Sequence, residues 1–205
     1  MTLSSATTYK PSADDVKKLR EATGAGMIDC RNALLETGGD AEKAKERLAE
    51  LGQSKAEKKE ERVANEGSVG SYIHAGGKIG VLVEINCETD FVARNPKFVE
   101  LVRDVAMHVA AMSPQYVDRE AVPADVVEPV KAELATTVPA GKPANVVEKI
   151  IEGKLNKWYE EHCLLDQPFV KDDAVSIGEL VAGVSSVLGE KIRVKRFAKF
   201  VLGEA

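Results

Sequence analysis

The sequence predicts an α+β protein: a module of three short helices comes first, and a core in which helices pack with a small antiparallel sheet follows. Apolar residues recur at helical spacing before residue 52. Two runs rich in β-branched residues then flank a Gly-Gly pair, and a last apolar run at 192–201 follows several further helical segments. Strands separated along the chain by helices are typical of α+β domains.

Composition divides the chain into four segments. Residues 1–11 indicate a flexible tail, and residues 12–52 a module near the lower size limit for independent folding. Residues 53–66 carry a run of mixed charges, which is typical of a solvated helical linker held by ion pairs four residues apart, with a binding tail as the alternative. Residues 67–205 are predicted to form the α+β core.

Capping residues set the predicted bounds of the three helices in the module. The first helix begins after Ser12 and ends at Gly24, because glycine readily takes the left-handed conformation that ends a helix. The second begins near Gly26 and ends at a pair of glycines. The third lies between Asp40 and Gly52.

The core begins with a predicted hairpin and continues with helices. Residues 68–87 form two strands around a Gly-Gly turn, in which both glycines can take positive φ. Helical spacing follows at 98–112, then three prolines interrupt the chain and 136–144 is predicted to be a loop. Two further helices and a closing strand with its cations on one face complete the core; they cover 147–158, 177–188 and 192–201.

Composition also excludes several classes of protein. The net charge of -5 gives no basis for general nucleic-acid binding, and no run approaches the 18 apolar residues of a membrane span. The first residues lack the pattern of a signal peptide. Cys30, Cys87 and Cys163 fit no zinc spacing and suit a reducing compartment. A cytoplasmic protein without a cofactor or a metal site is expected.

The residues that could carry chemistry do not form a catalytic group. Residues 24–26 lack both the preceding strand and the Lys-Ser/Thr pair of a phosphate loop. A thiol enzyme would need Cys87 with His74 or His108, but no nucleophile turn surrounds that cysteine. The acidic residues nearby lack the partner ligands of a metal site. The sequence therefore favours a binding or regulatory protein over an enzyme.

Exposed apolar side chains are the strongest indication of binding. The strand at 79–87 leads into a turn, 88–92, that places Phe91 beside a carboxylate where chains usually meet water. Phe91 either folds back onto its own core, as most Phe residues do, or meets a partner. In the module, the adjacent Met27 and Ile28 point in different directions on a helix, so one of them is expected to be exposed.

Three long motifs point to a known family. They are VKKLREATGAGMIDC at 16–30, EINCETDFVA at 84–93, and a set of Gly, Lys, Pro and Phe positions over 141–170. In this order they resemble the N-terminal signature, the central signature and the later core of the elongation factor Ts family. The similarity extends over about residues 12 to 202. Members of this family are nucleotide exchange factors for elongation factor Tu in bacterial translation.

The resemblance implies a mechanism centred on residues 89–92. Thr89, Asp90, Phe91 and Val92 would form the part of the chain that binds Tu, and Phe91 would insert between helices of its GTPase domain with Asp90 beside it. This wedge would disturb the Mg²⁺ and phosphate environment of bound GDP. The Mg²⁺ would be a ligand of Tu and not of this chain.

The resemblance also assigns contacts outside that turn. The family's N-terminal module is of the ubiquitin-associated type, and Arg20, Met27 and Ile28 match positions that contact the same GTPase domain. His74 matches a position in the second core half of longer members that also approaches Tu.

The chain resembles a short form of the family with one core unit. Longer members carry two related core halves, whereas here 70–74 and 106–110, similar to the second half, flank the 89–92 signature of the first. A second copy would replace the missing half, which implies a homodimer or a two-plus-two complex with Tu. The alternative function is an adaptor, whose module binds another protein while its core only dimerises.

Overall fold

The computed structural model of the chain describes residues 9–139 and 142–204, with the side chains of 52–60 outside the description. The chain separates into two compact units, Met1–Arg62 and Val63–Ala205. The predicted α+β class is confirmed. The first unit is helical, and the second combines helices with a three-stranded and a two-stranded antiparallel sheet.

Three helices form the first unit: α1 Ala13–Thr23, α2 Met27–Glu36 and α3 Ala41–Glu60. The predicted caps of α1 are confirmed, because the Ser12 hydroxyl accepts the Asp15 N–H at 3.1 Å and Gly24 takes φ 67°. The core shared by the three helices contains seven buried residues: Val16, Leu19, Cys30, Ala33, Leu34, Ala44 and Leu48.

The third helix is longer than the sequence predicted. It passes through Gly52 to Glu60, so the expected end at Gly52 is wrong. One glycine costs a helix only about 1 kcal/mol, and the Ala, Glu and Lys residues around it favour helix. The linker's predicted ion pairs include side chains outside the described residues.

Part of the predicted tail contacts the first unit. Residues 1–8 lie outside the description. The Tyr9 hydroxyl donates to Asp15 at 3.3 Å, and its ring lies so close to Gly39 that a Cβ there would meet it at 2.5 Å.

The described part of the second unit contains ten α-helices and β-strands, and one short 3-10 helix at Leu164–Asp166. In chain order they are β1 Glu66–Ile73, β2 Ile79–Cys87, α4 Asp90–Ala93, α5 Pro96–Met112, α6 Ala124–Thr136, α7 Ala144–His162, β3 Pro168–Phe169, β4 Asp172–Ser176, α8 Ile177–Leu188 and β5 Arg193–Val201. The main sheet has the antiparallel order β1-β2-β5, with the long strand β2 in its centre.

The predicted hairpin turn between β1 and β2 is confirmed. The His74 carbonyl accepts the Gly77 N–H at 2.9 Å, and Gly76 and Gly77 take φ 89° and 69°. On the inner face of the sheet, alternate β2 residues such as Val83 and Ile85 are buried with residues of α5 and α8. Because β2 is anchored in the core, the hairpin turn before it and the segment after Cys87 are held in position.

A bulge in β5 corrects the prediction that its cations share one face. Glu84 pairs with Arg196 but Ile85 pairs with Val194, which leaves Lys195 as an extra residue. Residues beyond the bulge therefore change face. Lys199 is partly buried and its Nζ donates to the Ala110 carbonyl at 2.8 Å, whereas the Arg196 side chain is exposed.

The outer face of the main sheet is mostly apolar. Cross-strand register aligns Ile73 with Gly80 and Phe200, and Ser71 with Leu82 and Ala198. We call the exposed apolar side chains on this side the open sheet face; they are Val69, Ile73, Leu82, Ala198 and Phe200. The same side also carries Ser71 and the Glu84–Arg196 ion pair. Outer faces of antiparallel sheets are ordinarily polar, so this patch is informative.

Helices α6 and α7 pack against each other. The prediction that Pro129 breaks up the chain is wrong, because Pro129 lies inside α6; Pro123 directly precedes the first residue of that helix. The small β3–β4 sheet was not predicted. In the predicted loop at 136–144, residues 137–139 and 142–143 lie between the two helices as expected, Thr136 and Ala144 are the end residues of α6 and α7, and 140 and 141 lie outside the described residues.

No helix in the described part of the chain has the length and apolar character needed to cross a bilayer.

Candidate functional site

The segment after β2 folds as one capped helical turn. Cys87 ends the strand, Thr89 has extended backbone angles, and α4 follows at once. The Thr89 hydroxyl accepts the Val92 N–H at 3.4 Å, which is the geometry of an N-terminal helix cap. Asn95 then caps α5, with Pro96 as its first residue. We call residues 89–92 the signature turn.

Phe91 is exposed, so its side chain does not fold back onto its own core. Its side chain is 81% accessible, the largest exposure among the big apolar residues described. Val92 and Ala93 pack against the core instead. Neighbouring residues of a helical turn point in different directions, so anchoring Val92 and Ala93 directs Phe91 outward.

Asp90 lies beside the ring and forms an ion pair within the turn. Its carboxylate is 3.0 Å from Arg94 Nη2, one helical turn later. Both side chains are substantially exposed, so the pair contributes little to folding free energy. Arg94 is not among the site residues predicted from the sequence.

A carboxylate distant in sequence holds the start of the turn. Glu190, in the α8–β5 connection, accepts the Glu88 and Thr89 N–H groups at 3.1 and 3.0 Å through one oxygen. Its other oxygen accepts the Thr89 hydroxyl at 2.6 Å. Sequence reasoning missed Glu190 because about a hundred residues separate it from its partners and no local pattern relates them.

Cys87 is unsuited to nucleophilic chemistry. Its side chain is buried, and its thiol donates to the Thr89 carbonyl at 3.1 Å. Burial, and secondarily the negative charge of Glu190, raises the pKa of this thiol, so it stays protonated at neutral pH. His108 bonds to Gln167 at 3.0 Å and does not activate the thiol.

His74 lies at the far end of the sheet from the signature turn. It occupies the hairpin turn before β2, whereas Thr89 follows the end of β2, so roughly 30 Å of extended strand separates them. The ring is exposed, and its Nδ1 lies 3.2 Å from the Tyr72 hydroxyl. The structure therefore does not bring His74 together with Phe91.

In the first unit, the three predicted contact residues flank one turn. Arg20 is exposed in the last turn of α1, and Met27 and Ile28 begin α2. The sequence predicted that one of the two apolar residues would be exposed, and the structure exposes both, at 53% and 73%. The core of the three helices is formed by other residues, among them Leu19, Leu34 and Leu48.

Among the residues described, no cluster of three His, Cys, Asp or Glu side chains could hold a metal ion.

Comparison with known proteins agrees with this architecture. The profile of the family described as "Elongation factor TS" matches residues 16–204. Elongation factor Ts of Geotalea uraniireducens (strain Rf4) is 57% identical over 194 residues, covering 94% of this chain and 90% of that protein. The protein of the same name from Geobacter metallireducens is 55% identical with the same coverage, and that from Anaeromyxobacter sp. (strain Fw109-5) is 55% identical over 197 residues. The chain therefore belongs to the elongation factor Ts family.

Proposed function

We propose that this chain accelerates GDP release from elongation factor Tu by inserting Phe91 into the GTPase domain of Tu. As a member of the elongation factor Ts family, the chain is a nucleotide exchange factor for Tu in protein synthesis. The observation that carries the mechanism is an 81% exposed Phe on a capped turn whose other apolar residues are anchored in the core. Water exposure of such a ring is unfavourable, and a hydrophobic site on a partner removes that cost.

The energies are of the right size for a wedge. A nanomolar affinity for GDP corresponds to about -12 kcal/mol, which makes unaided release slow. Release that is roughly 10³-fold faster requires a barrier lower by about 4 kcal/mol. Burial of one Phe supplies about 1.5–3 kcal/mol of this. A weakened contact between Mg²⁺ and phosphate in Tu supplies the remainder.

Reciprocal coupling lets the factor act repeatedly. If binding of this chain weakens the affinity of Tu for GDP, then GDP weakens the affinity of Tu for this chain by the same factor. Rebinding of nucleotide therefore releases the exchange factor, which is not consumed.

The other residues of the signature turn have distinct roles in this proposal. Asp90 lies beside the ring and presents a carboxylate to Tu, with Arg94 as its partner in the free protein. Thr89 caps the turn, and Val92 anchors it to the core. Phe91 and Asp90 therefore contact Tu, while Thr89 and Val92 hold them in position.

A second contact with the GTPase domain is assigned to the first unit. Met27 and Ile28 form an exposed apolar pair at the start of α2, and Arg20 contributes a positive charge on the other side of the same turn. An apolar centre with an Arg at its rim is a common composition of protein interfaces. His74 is proposed as a further contact with Tu, at the opposite end of β2.

A second copy of the chain is the proposed occupant of the open sheet face. Phe200 and Ile73 lie on the same cross-strand row and are each 66% exposed. A two-fold pairing places such a row against itself, which suits a row whose exposed side chains are apolar. The Glu84–Arg196 ion pair, with 2.6 Å between Glu84 Oε2 and Arg196 Nε, lies two cross-strand rows away from Ile73 and Phe200. We propose a homodimer that binds two Tu molecules.

This chain is proposed to do no covalent chemistry itself and to act in the cytoplasm. The three cysteines are unpaired and buried, which suits a reducing compartment.

Capture of Tu on the immobilised chain, with and without added GDP, tests the function. An exchange factor must lose bound Tu when GDP is added, because nucleotide and factor weaken each other's binding. An adaptor would retain Tu, or not bind it, at every GDP concentration. The homologues named elongation factor Ts do not favour the adaptor, and retention of Tu in excess GDP would overturn the proposed mechanism.

A further inference from the structure

We propose that Glu190 is a positioning residue for exchange: it fixes the direction in which the signature turn presents Phe91. The proposal rests on the proposed function of Phe91 and adds a residue that the family resemblance did not assign.

Both oxygens of the Glu190 carboxylate accept hydrogen bonds from the residues that lead into α4. One oxygen accepts two consecutive backbone N–H groups, those of Glu88 and Thr89, at 3.1 and 3.0 Å. The other accepts the Thr89 hydroxyl at 2.6 Å. Hydrogen bonds to an ionised carboxylate are about twice as strong as neutral ones, so this set holds both the backbone and the side chain at the entrance to α4.

The segment that carries Glu190 is itself held in place by hydrogen bonds. Gly189 ends α8 with φ 77°, and the Ser185 hydroxyl donates to the Glu190 carbonyl at 2.5 Å. The Lys191 N–H donates in return to the Glu88 carboxylate at 2.5 Å. The two segments thus exchange bonds in both directions, just beyond the point where Asn86 of β2 pairs with Arg193 of β5.

Thr89 connects Glu190 to the helical turn α4. Because the Thr89 hydroxyl donates its hydrogen to Glu190, its lone pairs remain for the Val92 N–H, which it accepts at 3.4 Å. A hydroxyl freed from Glu190 could rotate away from Val92. Glu190 therefore acts on α4 through Thr89.

Phe91 needs this support because neither the short helix α4 nor packing of the ring fixes its direction. Helix α4 has only four residues, too few to be stable alone, and the ring is 81% exposed. Packing of the ring therefore contributes little to its direction. The direction is set by the backbone of the turn, which is anchored by Val92 at one end and by Glu190 at the other.

The test compares Glu190→Ala with Glu179→Ala. Each change removes a carboxylate near one end of α8 that accepts backbone hydrogen bonds. Glu190 accepts the Glu88 and Thr89 N–H groups, whereas Glu179 accepts the Ser176 N–H at the other end of the helix. At saturating concentrations of the chain, Glu190→Ala should lower the maximal rate of GDP release from Tu by about tenfold, since a displaced wedge loses the aligned contact. Glu179→Ala should leave that rate within about twofold of wild type.

A double variant distinguishes positioning from general destabilisation. If Glu190 acts only through the ring, adding Glu190→Ala to Phe91→Ala should change the rate by less than about twofold. Faster hydrogen exchange at the Glu88 and Thr89 amides in Glu190→Ala, but not in Glu179→Ala, is the second readout. Glu190→Gln, which keeps one accepting oxygen, should fall between alanine and wild type, and it provides the same measurements if the alanine variant does not fold.

The outcomes separate this inference from the function on which it rests. Normal release by the Glu190 variants together with slow release by Phe91→Ala would overturn the positioning role alone. Effects of Glu190→Ala that multiply fully with those of Phe91→Ala would overturn it too. Normal release by Phe91→Ala would instead overturn the wedge itself.

Discussion

At the scale of single residues, the fold leaves particular apolar side chains in water and anchors their neighbours. Phe91 is exposed while Val92 packs on the core, and Ile28 is 73% exposed two residues before the fully buried Cys30. In each case a residue of the same helix that packs on the core, the half-buried Val92 or the buried Cys30, helps to fix the direction of the exposed one. Both exposed side chains are therefore presented by the backbone and do not depend on packing of their own.

Ile28→Ala should weaken binding to Tu without affecting the fold. Burying such a side chain at an interface is worth about 1.5–3 kcal/mol, so its removal should raise the dissociation constant by roughly 10- to 100-fold. Titration calorimetry with nucleotide-free Tu measures this change. Leu35→Ala, an exposed change on the same helix, is the matched control. Equal affinities of Ile28→Ala and wild type for Tu would show that Ile28 does not contribute to the interface.

The sequence alone could identify some of these residues but not others. Ser12, Gly24 and the residues of 89–92 were predictable, because caps and the family signature are local patterns. The exposure of Phe91 was undecided, since it depends on which neighbours the core accepts. Glu190 and Lys199 bond to residues about ninety or more positions away in sequence, and the effect of the bulge at Lys195 has no local signal.

At the scale of elements, a buried histidine connects α5 with the segment around β3. His108 Nδ1 accepts the Val170 N–H at 3.2 Å, and its Nε2 lies 3.0 Å from the Gln167 amide oxygen. Gln167 donates in turn to the Glu161 carbonyl in α7 at 2.9 Å. Because Nδ1 accepts, Nε2 carries the hydrogen and the ring is neutral. Burial lowers the pKa of His108 below its usual 6.5.

This histidine should make the core less stable in mild acid. The unfolded chain binds a proton below about pH 6.5, whereas folded His108 resists it, so the free energy of unfolding should fall as the pH is lowered from 7.5 to 5.5. Urea denaturation across this range gives the slope. His108→Gln should flatten the slope, and the exposed change His74→Gln should leave it unaltered. A wild-type stability that does not change with pH would contradict the neutral, buried ring.

Most elements with strong periodicity were predictable. Helices α1, α2, α5 and α8 and the β1–β2 hairpin follow their capping and apolar patterns. The errors have specific causes: good helix formers carry α3 through Gly52, and α6 accommodates Pro129 in its interior. Strands β3 and β4 are too short, at two and five residues, for an alternating pattern to stand out.

At the scale of the whole molecule, each of the two compact units has its own buried core. Each also carries exposed apolar residues proposed to contact Tu, Met27 and Ile28 on the first and Phe91 on the second. The open sheet face belongs to the second unit and is proposed for a second copy.

Phe200→Asp should dissociate the proposed dimer. The side chain is 66% exposed, so the change costs the isolated fold little, but a second copy would have to bury the new charge without a partner. Sedimentation velocity at micromolar concentration should show a dimer for wild type and a monomer for the variant. Val99→Asp, at an exposed apolar position on α5, should remain dimeric. An unchanged sedimentation coefficient in Phe200→Asp would place any dimer contact elsewhere.

The most direct test of the central claim is stopped-flow release of fluorescent GDP from Tu by wild type and Phe91→Ala. We expect Phe91→Ala to slow stimulated release by more than about tenfold, since burial of the ring supplies about 1.5–3 kcal/mol of the lowered barrier. Its thermal unfolding should match wild type because the ring lies in water, and Val187→Ala, an exposed change on α8, should release GDP normally. A Phe91→Ala variant that releases GDP at the wild-type rate would contradict the wedge.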